Sequence, residues 1–147
     1  MMQIRIMTVD DYAGLYALWT SCKGMGLNDV DDSAEGIERY LRRNPSTCFV
    51  AVEAGEIVGC IMAGHDGRRG YIYHTAVKPE RRGQGIGKAL VDAAMAVLRE
   101  EGISKVALVA FSRNEAGNAF WERMGFTRRD DLSYRNKTLV DMNRMDT

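Results

Sequence analysis

Residues 71–90 read YIYHTAVKPERRGQGIGKAL. Tyr71 to Val77 is rich in aromatic and β-branched residues, which predicts a strand. Lys78-Pro79-Glu80 forms a hinge, and Arg81-Arg82-Gly83-Gln84-Gly85-Ile86-Gly87 is a basic, glycine-rich turn that opens into a helix near Lys88. Glycines at 83, 85 and 87 let backbone amides approach a ligand without Cβ obstruction. A helix beginning there aims unpaired N–H groups and the positive end of its dipole at an anion. Arg81, Arg82 and Lys88 add charge of the same sign. The stretch predicts a site for phosphates such as a pyrophosphate.

The chain has 147 residues, which fits one domain spanning 1–147 with a sizeable core. Twenty basic residues balance twenty acidic ones, which argues against a general nucleic-acid surface and a polybasic membrane contact. Cys22, Cys48 and Cys60 are odd in number and lack metal-ligand spacing, so no disulfide framework and no metal site is expected. With no signal-peptide core and no apolar run of membrane-spanning length, the expected location is the cytoplasm.

Outward from the central stretch, Gln3–Met7 is predicted as a strand, followed by a helix from Thr8 to about Lys23 with Leu15, Leu18 and Trp19 buried. A loop with Asp29, Asp31 and Asp32 leads to a second helix, capped by Ser33 and stopped at Asn44-Pro45. Gly36 stands where a capping box has glutamate. Strands at 48–52 and 57–63 form a hairpin around Gly55. After the central helix, Lys105–Phe111 is almost wholly apolar, as a parallel strand covered on both sides would be. A helix over Asn114–Met124 and strands from Phe126 and over Thr138–Met142 complete the chain. The order β-α-α-β-β-β-α-β-α-β-β predicts an α/β (α+β) fold. Its mixed sheet has about six to seven strands, helices on both faces, and one right-handed crossover at its centre.

Two nucleotide motifs are excluded by particular residues. A P-loop needs Gly-Lys-Ser/Thr, and Gly87-Lys88 is followed by Ala89. A dinucleotide fingerprint needs a small residue at Lys88 and an acid about twenty residues on, where Ser104 and Lys105 stand. The pattern instead resembles the coenzyme A motif of the GNAT acyltransferase superfamily: Gln or Arg, two residues, Gly, one residue, then Gly or Ala, matched by Arg82, Gly85 and Gly87. Ala76-Val77-Lys78-Pro79 looks like that family's strand exit. Asn114, Asn118-Ala119-Phe120 and Met124-Gly125-Phe126 look like its second cofactor-contacting helix and the Gly-Phe after it.

The resemblance implies acetyl-coenzyme A as co-substrate. Backbone amides of Arg82, Gly83, Gln84, Gly85, Ile86, Gly87 and Lys88 would hold its pyrophosphate. Thr75, Ala76 and Val77 would pair with the pantetheine arm like an added strand. The Val77 N–H would stabilise the oxyanion. Asn114 and Asn118 would contact the pantetheine or adenine end, with helix capping as the alternative. Trp121 falls where the family often has its general-acid tyrosine, and Tyr71 and Val109 fall where it has glutamates.

The missing groups leave His74 as candidate base, since its intrinsic pKa of about 6.5 suits proton removal at neutral pH. A thiolate, with a pKa of roughly 8.5, leaves without a proton donor. Strict alternation places Tyr71, Tyr73 and Thr75 on one face and Ile72, His74 and Ala76 on the other; a bulge, as known in the family, would change that parity. Tyr71 and Tyr73 read as pocket walls or water anchors, or as core, and Tyr134 as a further pocket residue. The acidic loop would favour a cationic amine, or is simply solvated. The expected function is acetyl transfer to a primary amine of a small molecule, amino-acid derivative or peptide N-terminus. Alternatives are a non-catalytic acyl-coenzyme A-binding module or sensor, and O- or S-acyl transfer. Dimers are frequent in the family.

Overall fold

The computed structural model describes residues 1–146. Its sheet has five strands in sequential order: β1 (Gln3–Ile6), β2 (Phe49–Glu53), β3 (Glu56–His65), β4 (Gly70–Val77) and β5 (Val106–Leu108). β1 to β4 are antiparallel neighbours, and β4 and β5 are parallel. The β2–β3 turn is two residues long, with φ of 52° at Ala54 and 76° at Gly55. Positive φ at both positions twists such a turn to match the flanking strands.

Helices α1 (Tyr12–Ser21) and α2 (Ala34–Arg43) cover one face. Leu15, Leu18, Trp19, Ile37 and Leu41 pack there against Val50, Cys60 and Ala76. Helices α3 (Ile86–Glu100) and α4 (Glu115–Arg123) cover the other, where Ile86, Leu90, Ala94 and Leu98 meet Ala51, Ile61 and Ile72. Helices on both faces follow from two apolar sides of one sheet, each needing cover.

Local chemistry explains where these helices begin. Thr8 opens a 3-10 turn over Val9–Asp11, with its N–H donating to the Asp11 carboxylate, and α1 follows directly. Ser33 Oγ accepts from the Gly36 N–H, closing the start of α2. Gly36 has a packing reason: a Cβ there would overlap the backbone carbonyls of Val30 and Asp31.

The far end of the chain departs from expectation. The two strands predicted from Phe126 and over Thr138–Met142 do not form, so the sheet has five strands rather than six or seven. Side chains from Thr127 to Met142 are all exposed. Arg128 and Arg129 pair with Asp130 and Asp131 two residues along. A segment without a buried face has no side-chain pattern to set a strand register. β5 is likewise only three residues long, and Val109 and Phe111, expected under cover on both sides, are exposed. The chain returns to the body at Asn143–Asp146, where Asp29 N–H donates to the Asn143 carbonyl and Met145 N–H to the Leu27 carbonyl. No helix among the described residues is long and apolar enough to cross a membrane.

Candidate active site

β4 is where the sheet becomes irregular on both sides. Towards β3, Ile61 pairs with Thr75 and Ala63 with Ile72, so Tyr73 and His74 together oppose Met62 alone. This is a bulge in β4, and it resets which face each side chain takes. Tyr71 pairs with Gly64, whose missing Cβ would meet Tyr40 and Asn44 on the α2 side. The Tyr73 ring lies 4.7 Å from that of Tyr71 and 5.6 Å from that of Tyr40. His74 packs edge-on against Trp19 of α1 at 5.1 Å. Tyr71, Tyr73, His74 and Ala76 thus share the α1/α2 face, while Thr75 pairs with Ile61 on the opposite one. Strict alternation, which separates His74 from the tyrosines and groups Thr75 with them, is corrected by this one extra residue.

Towards β5, pairing stops after Ile72–Leu108. The Lys78 N–H donates to the Val58 carbonyl on the β3 side. Successive N–H groups on a strand point to opposite edges, so the Val77 N–H faces the edge that β5 has left. Thr75 Oγ1 is buried and has no hydrogen-bond partner among the described residues. An extended ligand with its own amides and carbonyls fits such an edge, as an added strand would.

The glycine turn adjoins it. Pro79–Arg81 forms a 3-10 turn, and Gly83 and Gly85 follow with φ of 78° and 84°. These left-handed conformations are costly for residues with a Cβ. Gly85 is the N-cap of α3, and no side chain caps that end. The Arg81 and Arg82 N–H groups donate to the Lys78 and Pro79 carbonyls, which takes the expected Arg82 amide out of the cradle. The first N–H groups of a helix lack intrahelical partners, so those of Gly83 to Gly85 and of Ile86, Gly87 and Lys88 form a donor cluster suited to phosphate oxygens. Gly87 also has a packing role, since a Cβ there would lie 3.1 Å from the Phe120 ring of α4.

The charged side chains of the turn are spoken for. Arg81 pairs with Glu53 and also donates to Gln84. Arg82 donates from Nε to the Val77 carbonyl at 3.2 Å and from its terminal nitrogen towards Cys22 Sγ. Lys88 pairs with Asp92. Backbone amides, more than these cations, are what the turn offers an anion.

The second group of predicted cofactor residues sits at α4. Asn114 is the N-cap, its side chain accepting from the Gly117 N–H. Asn118 donates to the Phe111 and Asn114 carbonyls. Both side chains hold the β5–α4 connection, which favours the capping alternative. Trp121 lies half-buried between Phe120 and Phe126, edge-on to each, against the α3 core.

His74 has a partner that sequence reasoning missed. Its Nε2 lies 2.7 Å from Asp32 Oδ1. Asp32, expected in an acidic loop facing an amine or solvent, is only 4% exposed. Asp29 is also engaged, accepting from the backbone and side-chain nitrogens of Asn143. Asp29 and Asp31 both stay at the surface, Asp31 near Tyr73. Burial pushes the Tyr73 phenol above its ordinary range, and the nearby Asp31 and Tyr134 push in the same direction. Burial likewise raises Tyr71, with Tyr134 and Tyr73 next in effect. Both phenols keep their protons at neutral pH and can donate. Tyr73, at 55% exposure, is the more open of the two. Nothing in the spacing of Asp32 and His74, 42 residues apart, pointed to their pairing. Tyr40, the third ring of this wall, comes from α2.

Among the described residues, no cluster of His, Cys, Asp and Glu is placed to hold a metal ion. The three cysteines are free and buried.

A bulged strand with an open edge, leading into an amide-lined turn at a helix start, is the arrangement expected of an acyl-coenzyme A site. Residues 12–126 match the acetyltransferase (GNAT) family. The chain belongs to the GNAT acetyltransferase family. An acetyltransferase of Sodalis glossinidius is 34% identical over 140 residues, covering 95% of this chain and 97% of that protein. One of Pectobacterium atrosepticum is also 34% identical, over 95% of this chain and 98% of its own length. Among solved structures, Ard1 from Thermoplasma volcanium superposes with a TM-score of 0.74 at 26% identity, covering 86% of this chain and 82% of that one. The PaiA N-acetyltransferase of Thermoplasma acidophilum, solved with coenzyme A, shares the fold with a TM-score of 0.76 at 21% identity, covering 88% and 92%. This GNAT chain is accordingly an acyltransferase.

Proposed function

We propose that this GNAT enzyme moves the acetyl group of acetyl-coenzyme A directly to a primary amine of a small molecule, amino-acid derivative or peptide N-terminus. The observation that carries the reading is the continuity of the open Thr75–Val77 edge with the amide-lined turn from Gly83 to Lys88. The turn suits a pyrophosphate and the edge suits the pantetheine arm. The solved relatives include a PaiA N-acetyltransferase in complex with coenzyme A and an aminoglycoside acetyltransferase in complex with sisomicin, which supports an amine acceptor.

On this reading the Val77 N–H stabilises charge on the thioester oxygen as the amine attacks. The C–N bond forms as the C–S bond breaks, and coenzyme A leaves as its thiolate. His74, on the α1/α2 face beside the wall of Tyr40, Tyr71 and Tyr73, accepts the proton that the amine loses. An alkyl ammonium has a pKa of about 10, so a base that helps shed its proton matters at neutral pH.

The test is release of free thiol from acetyl-coenzyme A across a broad panel of small amines, aminoglycosides and N-terminal peptides. Turnover with at least one of them is expected. Tight binding of acetyl-coenzyme A with no turnover on the whole panel would overturn amine acetylation.

A further inference from the structure

We propose that Asp32 is the positioning residue for His74: it keeps the imidazole proton on Nε2 and leaves Nδ1 as the nitrogen that takes the acceptor's proton. This inference rests on the reading of His74 as the base. An ionised carboxylate only accepts hydrogen bonds. Asp32 Oδ2 accepts the Asn28 N–H at 2.9 Å, and Oδ1 faces His74 Nε2 at 2.7 Å. The histidine must therefore be the donor at Nε2, and its tautomer follows.

The surroundings hold both groups in place. The Trp19 ring lies edge-on to the imidazole, and the Tyr12 hydroxyl donates to the Asp32 carbonyl at 2.6 Å. Asn28 Oδ1 accepts from the Val30 and Asp31 N–H groups, fixing the loop just ahead of Asp32. The chain's end ties the same loop from outside: the Asp146 carboxylate accepts from the Gly26 and Leu27 N–H groups. Among the described residues, no Lys or Arg forms an ion pair with Asp32. His74 is its one cation-forming partner.

A buried carboxylate with one such partner is a poor device for stability, because desolvation offsets much of the attraction. It is a good device for orienting an imidazole and for stabilising the imidazolium that forms during proton transfer. The carboxylate itself takes no proton in that role. The proton lost by the amine rests on Nδ1 and then passes to solvent, while coenzyme A departs with the electron pair of the broken C–S bond.

The tautomer can be read without an acceptor, because the chain has only two histidines. In a long-range proton–nitrogen-15 spectrum of the neutral ring, His74 should show its proton on Nε2, with a His65→Gln variant assigning the signals. In Asp32→Asn, the amide oxygen still has to accept from Asn28, so the amide nitrogen faces His74 and should drive the proton to Nδ1. With an amine found active in the panel, the same variant should lose about a hundredfold in kcat and keep its KM for acetyl-coenzyme A. A wild-type signal with the proton on Nδ1 overturns the inference, and that arm holds even if the variant fails to fold. An Asp32→Asn protein with unchanged tautomer and turnover also overturns it. Turnover retained in His74→Ala refutes the base reading itself; turnover lost there but kept in Asp32→Asn sinks the positioning role alone.

Discussion

The Arg82 guanidinium lies 3.2 Å from the Val77 carbonyl oxygen and 3.6 Å from Cys22 Sγ. One side chain thereby joins the glycine turn, the last residue of β4 and the end of α1. The carbonyl it holds belongs to the residue whose N–H faces the open edge, so Arg82 ties the glycine turn to that edge. Arg82→Ala removes a charge-assisted hydrogen bond at an exposed position, worth about 1 kcal/mol. Acetyl-coenzyme A should bind about fivefold more weakly by titration calorimetry. Unchanged affinity would show that Val77 and the turn hold their geometry without it.

Gly85 allows strain and charge to be separated. Its φ of 84° lies in the left-handed region, yet a Cβ there would meet nothing within 4 Å. Gly85→Ala should fold normally and lose about 1 kcal/mol of stability from the backbone alone. Gly85→Glu should lose a similar amount, and also place a carboxylate where the α3 amides attract an anion. Acetyl-coenzyme A affinity should drop modestly in the first variant and become undetectable in the second. Equal affinities in the two proteins would remove the turn from the cofactor site.

The central part of the fold was legible in the sequence because its signals are local. Strand propensity over Tyr71–Val77, the glycine spacing and the apolar face of α3 each depend on neighbours a few residues apart. The extra residue at Tyr73–His74 was not legible, because a bulge is defined by how two strands count against each other, here Met62 against both residues. The burial of Asp32 was hidden for the same reason: an aspartate in an acidic loop reads as solvated until the fold brings a histidine to it. At the far end, the apolar residues of Thr138–Met142 looked like a strand by composition. With no buried face against the sheet, that composition had nothing to act on. Asn114 and Asn118 show the opposite case: residues expected at the cofactor have side chains that serve the start of α4 and the connection before it.

Gly36 tests how tightly the Asp32 loop is packed on α2. Alanine is the better helix former by about 1 kcal/mol, so a free surface would make Gly36→Ala stabilising. Here the added Cβ runs into the Val30 and Asp31 carbonyls, which are backbone atoms that cannot swing aside. Overpacking of this kind costs roughly 1–3 kcal/mol and should outweigh the propensity gain. The urea midpoint should fall, and kcat should fall with it, because the shifted segment carries Asp32. A raised midpoint would mean that the loop yields freely.

Asp11 supplies a pH signature at the other end of α1. Burial pushes its carboxyl up, but two hydrogen bonds from the Arg5 guanidinium, at 2.9 and 2.8 Å, and one from the Thr8 N–H outweigh that. The net result is a folded-state pKa below the ordinary 3.8. A carboxylate depressed on folding contributes stability that is fully present above its unfolded pKa and is lost as pH falls through the folded one. Asp11→Asn should therefore cost about 1–2 kcal/mol at pH 7, with the gap to wild type narrowing once the pH drops below about 4. Urea midpoints of both proteins between pH 7 and pH 2.5 give the comparison. A gap that stays constant through that range would mean that the Arg5–Asp11 contact acts through shape and packing, with no contribution from its charge.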